Sequence, residues 1–176
     1  MIRLRTERSG MEMEVFDAIV ARASVRSYTE RPVPDEQLEK LVDAGRRAPT
    51  ARGVEPWEFV VITEKETLEE LGRTADHGPF ITGASACIAV YCAPTKYYLE
   101  DGCAATENIL IAASAEGIGG CWVAGDKKEY AGRVSEILGV PDELKLVSLI
   151  SLGWPRDRVT SSRKRSLREV IHKERF

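Results

Sequence analysis

The 176-residue chain has only two histidines, His77 and His172, and four cysteines, Cys87, Cys92, Cys103 and Cys121. None of the cysteines forms a C-x-x-C pair. Zinc and iron–sulfur sites need closely spaced thiolates or imidazoles, so neither is expected, and the cysteines read as reduced core residues. No apolar run approaches the roughly 20 residues that span a bilayer. Met1 to Gly10 mixes charge with isolated apolar residues and lacks the apolar centre of a secretory signal, so a cytoplasmic location is expected. A phosphate loop of the G-x-x-x-x-G-K-[ST] kind is absent, and so is a G-x-S-x-G nucleophile elbow. With two histidines in loop-like and charged surroundings, both expected at the surface, no nucleophile–base pair presents itself.

What is present is a globular composition. Hydrophobic residues make up 43% and charged residues 30%, which fits one folded domain over 1–176 with a substantial core. Residues 1–11 and 173–176 are expected as extended or flexible ends. The net charge of −3 is uneven. From Arg156 to Phe176 there are eight Lys or Arg against three acids, leaving the rest acidic. The basic tail admits two readings, a nucleic-acid contact or a local anion such as phosphate, and the acidic body argues against broad nucleic-acid binding.

Apolar spacing predicts the elements in turn. Val15, Phe16, Ile19 and Val20 mark one face of a helix from about Glu12 to Arg22. A second helix opens with Asp35 and Glu36, buries Leu38, Leu41 and Val42, and ends near Ala48-Pro49. Trp57 to Ile62 reads as a strand. Thr63 and Glu66 have capping-box spacing before a helix carrying Leu68 and Leu71. His77-Gly78-Pro79 breaks that region. Ala84 to Cys92 reads as a buried strand. Glu100 to Glu116 is apolar on most sides, which predicts a central or interface helix ended by Gly117. A short strand from Gly120 to Ala124 and a turn at Gly125-Asp126 follow. Asp126 and Glu129 then suggest a helix start, with Tyr130, Val134, Ile137 and Leu138 inward and Gly139 as the stop. Leu146 to Leu152 is another strand, and a short helix is expected after Ser166 with Glu169 in its cap. Helices and strands mix without regular β–α alternation, which favours α+β.

Three motifs carry functional content. In Arg22-Ala23-Ser24-Val25-Arg26 the polar residues are two apart and share a side in extended backbone. Two guanidinium forks and a hydroxyl suit a phosphate; the same residues also suit an exposed basic turn capping a helix. The loop from Ala48 to Trp57 is bounded by prolines and holds Gly53, which is able to take positive φ. Gly117-Ile118-Gly119-Gly120 invites a dinucleotide reading, but it follows a helix and Trp122 occupies the third glycine position. Trp57 and Trp122 are either pocket aromatics or core residues. A protein with anion clamps and few reactive side chains fits an enzyme whose cofactor carries the chemistry.

Taken together, these stretches resemble the nitroreductase family of FMN-dependent oxidoreductases from about Val15 to His172. Arg22 to Arg26 is similar to the family's R-x-S-x-R/K. Ala48-Pro49-Thr50 with Pro56-Trp57 is similar to A-P-S…Q-P-W. Glu116 to Trp122 is similar to G-L-G-x-C-W, and Gly153-Trp154-Pro155 leads into the basic stretch.

The resemblance implies a three-layer α+β fold with a mainly antiparallel central sheet, in an intertwined homodimer with FMN at the interface. It also implies ping-pong hydride transfer from NAD(P)H through flavin N5 to a nitroaromatic, quinone or similar acceptor, with no catalytic side chain and no metal. The alternative is a non-catalytic flavin-binding sensor or carrier. By the same resemblance the cofactor-binding set is Arg22, Ala23, Ser24, Arg26, Pro49, Thr50, Gly53, Ala124, Gly125, Arg163 and Arg165. Arg22 and Ser24 would hold the phosphate or ribityl chain, and Arg26 the pyrimidine edge. The Ala124 and Gly125 amides would face N5. Arg163 and Arg165 would grip the phosphate, with Lys164 one register away. Pro49, Thr50 and Gly53 would come from the partner. Two positions depart from the family pattern: Gly53 stands where Asn is common, and Glu55 where Gln is common.

Overall fold

A computed structural model describes residues 14–160 and 163–176. The N-terminal segment, including the expected helix start at Glu12, lies outside the described residues. The elements are α1 (Val15–Ala21), α2 (Asp35–Gly45), β1 (Trp57–Ile62), α3 (Lys65–Thr74), β2 (Ala86–Cys92), α4 (Tyr98–Ala115), β3 (Gly119–Ala124), α5 (Ala131–Leu138), β4 (Lys145–Gly153) and α6 (Leu167–Val170).

The four strands form one sheet in the order β1-β2-β4-β3, antiparallel throughout. All seven residues of β2 are buried, because β2 has a strand on each side and helices on both faces. Side chains alternate between the faces. Ile88 and Val90 join Leu38, Leu41, Ile109 and Ile150 beneath α2 and α4. Cys87, Ala89 and Tyr91 join Leu68, Leu71, Val134 and Leu149 beneath α3 and α5. The result is the α+β three-layer arrangement expected. Each fully buried Leu or Ile in it contributes about 1.5–3 kcal/mol.

Helix α4 runs across the sheet with Gly102, Ala105, Ile109 and Ala113 buried. A Cβ on Gly102 would lie 2.7 Å from Val147, so glycine lets the helix press against β4. Gly45 plays the same part on α2, where a Cβ would meet Ile109 at 2.9 Å. That close crossing accompanies an end to α2 earlier than expected; Arg46 to Ala48 continue only as a turn.

The structure gives the α1 face its direction and corrects two expected helix starts. The Val15, Phe16, Ile19 and Val20 face of α1 is turned to solvent, with Phe16 74% exposed. It is Ala18, 1% exposed, that seats α1, its carbonyl accepting from Ser114 Oγ at 3.0 Å. Thr63 forms no capping box; Glu64 stands at the N-cap of α3 without a side-chain cap bond. Asp126 does not start α5 either. Its carboxylate accepts from Tyr98 Oη at 2.6 Å, and the helix begins five residues later behind Tyr130. The Ser166–Glu169 box does form. Among the described residues no helix is long and apolar enough to cross a membrane.

Candidate functional site

Residues 22–29 leave α1 as an extended strip laid along the edge of β3. Ser24 bridges Gly120 in parallel and Tyr28 bridges Pro155 in antiparallel sense. The Val25 amide donates to Gly120 O at 3.0 Å, and the Thr29 amide to Trp154 O at 2.9 Å. Val25 and Tyr28 are buried anchors, 5% and 4% exposed. The Tyr28 hydroxyl donates to Val25 O at 2.6 Å and lies 2.7 Å from Ser151 Oγ. Its burial raises the phenol pKa well above the ordinary value, so it stays a neutral donor.

With Val25 inward, its neighbours Ser24 and Arg26 face out, as two-residue periodicity requires. Arg22 is half-buried beside them. All three side chains act on Cys121. Burial pushes that thiol's pKa up, opposed first by Arg26, then by the Ser24 hydroxyl, then by Arg22. The two arginines nevertheless border different clefts, and Ser24 borders neither.

Two clefts flank the strip. The larger, about 700 Å³, is bordered by Arg26, Lys65, Phe80 and Arg156. The smaller, about 270 Å³, is bordered by Arg22, Ala23, Gly119 and Arg158. Arg22 has one weak ion pair, Nε to Glu107 at 3.7 Å. Arg26 has no carboxylate within ion-pair distance among the described residues; it reaches Ser24 O at 3.4 Å and lies over the Phe80 ring at 5.5 Å. A strip of guanidinium and hydroxyl donors with little internal neutralisation is a donor set suited to a phosphate or another oxygen-rich anion.

The glycine run has a structural explanation in place of the dinucleotide one. Gly117 takes φ 73° to end α4. Gly119 and Gly120 leave room for Val25 and Leu110, which a Cβ would meet at 2.8 and 2.9 Å.

Of the two turn amides expected to face a ligand, one is already engaged. Gly125 N–H donates to Val147 O at 2.9 Å. The antiparallel ladder alternates, so the N–H of the preceding residue, Ala124, is directed away from β4. That is the open edge on which Gly120 O meets Val25. Ala124 O accepts from Tyr130 Oη. The available donor is thus Ala124.

The remaining expected residues lie elsewhere in the chain. Pro49, Thr50 and Gly53 border neither cleft. Their loop takes positive φ at Arg52, Gly53 and Glu55 (62°, 66° and 49°) and is tied to Asp101 on α4. Arg163 and Arg165 are exposed and also border neither cleft; Arg165 Nη2 donates to Glu169 O at 2.5 Å. Trp57 is buried and Trp122 half-buried against the same core, so both pack. His77 and His172 are exposed.

Sequence reasoning missed Lys65, Phe80 and Arg156 at the larger cleft, and Asp101. The only signal for Asp101 was a carboxylate inside an apolar helix.

The antiparallel sheet between helical layers is that of nitroreductase structures already solved. A structure from Bacteroides thetaiotaomicron, titled as an NADH dehydrogenase/NAD(P)H nitroreductase, superposes with a TM-score of 0.87 at 28% identity. The match covers 92% of this chain and 98% of that one. An FMN-dependent nitroreductase from Clostridium difficile superposes with a TM-score of 0.85 at 26% identity, covering 90% and 98%. The chain belongs to the nitroreductase family, whose model matches residues 19–87 and 93–154. An Archaeoglobus fulgidus protein named as an NADH dehydrogenase/NAD(P)H nitroreductase is 36% identical over 151 residues, 82% of this chain and 87% of that protein. Family membership makes the chain an oxidoreductase by class.

Proposed function

We propose that this protein is a homodimeric FMN-dependent NAD(P)H oxidoreductase acting on a nitroaromatic, quinone or similar small acceptor. The observation that carries the reading is the strip on the β3 edge, which sets Arg26 beside the larger cleft and Arg22 and Ala23 beside the smaller one. The names of the relatives support both the flavin and the nicotinamide donor.

Bound FMN would supply the redox chemistry, taking hydride from NAD(P)H and returning it to the acceptor. Arg22 and Ser24, with Ala23 between them, would hold the phosphate end. Arg26 would face the pyrimidine edge, where its charge would favour electron gain. The Ala124 N–H supplies a hydrogen-bond donor beside β3. Pro49, Thr50 and Gly53 would be contributed by the partner, which fits their absence from both clefts of one chain. Arg163 and Arg165 would join the phosphate end. The exposed apolar faces of α1 and of the tail (Leu167, Val170 and Ile171) are surfaces such a dimer covers.

Purified protein should be yellow or become so with FMN. It should bleach anaerobically with NADH or NADPH and recover colour with menadione. A protein that takes up flavin but is never reduced would be a carrier or sensor; one that takes up none would overturn the flavin reading altogether.

A further inference from the structure

The loop between α2 and β1 is held by a buried carboxylate. Asp101 lies in the first turn of α4 and is 5% exposed. Its Oδ2 accepts the Thr50 hydroxyl at 2.8 Å, and its Oδ1 accepts the Ala51 amide at 3.1 Å. Thr50 Oγ1 in turn accepts the Glu55 amide at 3.1 Å. Asp101 thereby holds the start of the six-residue loop, and the Thr50 hydroxyl it orients closes the far end. Inside that loop Arg52 and Glu55, neither a glycine, hold positive φ. L-residues adopt that region against a steric penalty, so it persists only where surrounding bonds over-determine it.

The anchor itself is rigid. The neighbouring Gly102 is pressed against Val147 and Cys92, leaving α4 no room to shift toward the sheet. Three residues before Asp101, Tyr98 of the same turn holds Asp126 at 2.6 Å. One helical turn thus fixes both the 50–55 loop and the turn after β3.

We propose that Asp101 is a positioning residue. Through Thr50 and Ala51 it preforms the 50–55 loop as a wall for cofactor, and it thereby sets flavin affinity without touching flavin. This rests on the FMN reading above, in which Pro49, Thr50 and Gly53 meet the flavin. With glycine at position 53 that loop offers backbone there instead of a side chain, so the shape of its backbone becomes the recognition element. Preorganisation by Asp101 then replaces a side-chain contact.

The test uses the full chain stripped of flavin and compares wild type, Asp101→Ala, Thr50→Val and Thr50→Ser. Hydrogen exchange at Ala51 and Glu55, and tryptic cleavage after the exposed Arg52, report the loop without any cofactor. FMN titration then reports the wall. Asp101→Ala and Thr50→Val should speed exchange and cleavage and raise the FMN Kd roughly tenfold. Thr50→Ser, which keeps the hydroxyl, should restore both.

Unchanged exchange in folded Thr50→Val overturns the proposal even if Asp101→Ala fails to fold. Faster exchange with an unchanged FMN Kd also overturns it, while the flavin reading stands. Wild type that binds no FMN defeats the flavin reading, and the proposed role falls with it, whatever the exchange shows.

Discussion

Val25 lies against the backbone of Gly119 so closely that a Cβ on Gly119 would sit 2.8 Å from three Val25 carbons. This contact presses the strip carrying Ser24 and Arg26 onto β3. Gly119→Ala should therefore destabilise the fold by about 1–3 kcal/mol, the usual range for an overpacked core. It should also displace the two polar neighbours of Val25. Thermal unfolding and FMN titration of the same variant check both effects.

Arg22→Ala should weaken FMN binding by on the order of 1.5–3 kcal/mol, the range for a hydrogen bond to a charged group. Stability should change by less than about 1 kcal/mol, because the Glu107 pair it loses is long and partly exposed. Fluorescence titration gives the first quantity and urea unfolding the second. An unchanged flavin Kd would remove Arg22 from the site.

Tyr98 offers a pH test. Its hydrogen bond to Asp126, aided by burial, raises the phenol pKa from 10.0 to about 12. A raised folded-state pKa means the stabilisation is complete below the unfolded value and lost as pH climbs through the folded one. The wild type should therefore lose stability between pH 10 and about 12. In Tyr98→Phe that component of the loss should vanish, as denaturant midpoints across the window would show.

Thiol reactivity should rank by burial. Cys87 and Cys92 are buried and their pKa values are pushed up to about 12, so neither should react with a disulfide reagent before unfolding. Cys103 is half-buried and should react first. Cys121 is buried but opposed by Arg26, so Arg26→Gln should raise its pKa and slow it further. Mass mapping of labelled peptides over time checks the order.

Local chemistry was legible where a residue had one available partner. The bounds of β1, the burial of α4, the stop at Gly139 and the Ser166–Glu169 cap follow from spacing and from glycine geometry. Prediction failed where a distant group competed. Asp126 has the right spacing to begin α5, yet Tyr98, far back in the chain, captures its carboxylate. Arg22, Ser24 and Arg26 were readable because the strip is locally extended. Lys65, Phe80 and Arg156 were not, since they reach the cleft beside Arg26 only through the packing of α3, the following turn and the chain after β4. The direction of the apolar face of α1 was equally hidden: periodicity reveals a stripe, not what it packs on.

That stripe has a thermodynamic consequence. If Val15, Phe16, Ile19 and Val20 are covered by a second chain, part of the folding free energy is bimolecular. Stability then obeys mass action, and the melting temperature climbs with protein concentration. A dilute sample and a concentrated one would be, in effect, proteins of different robustness.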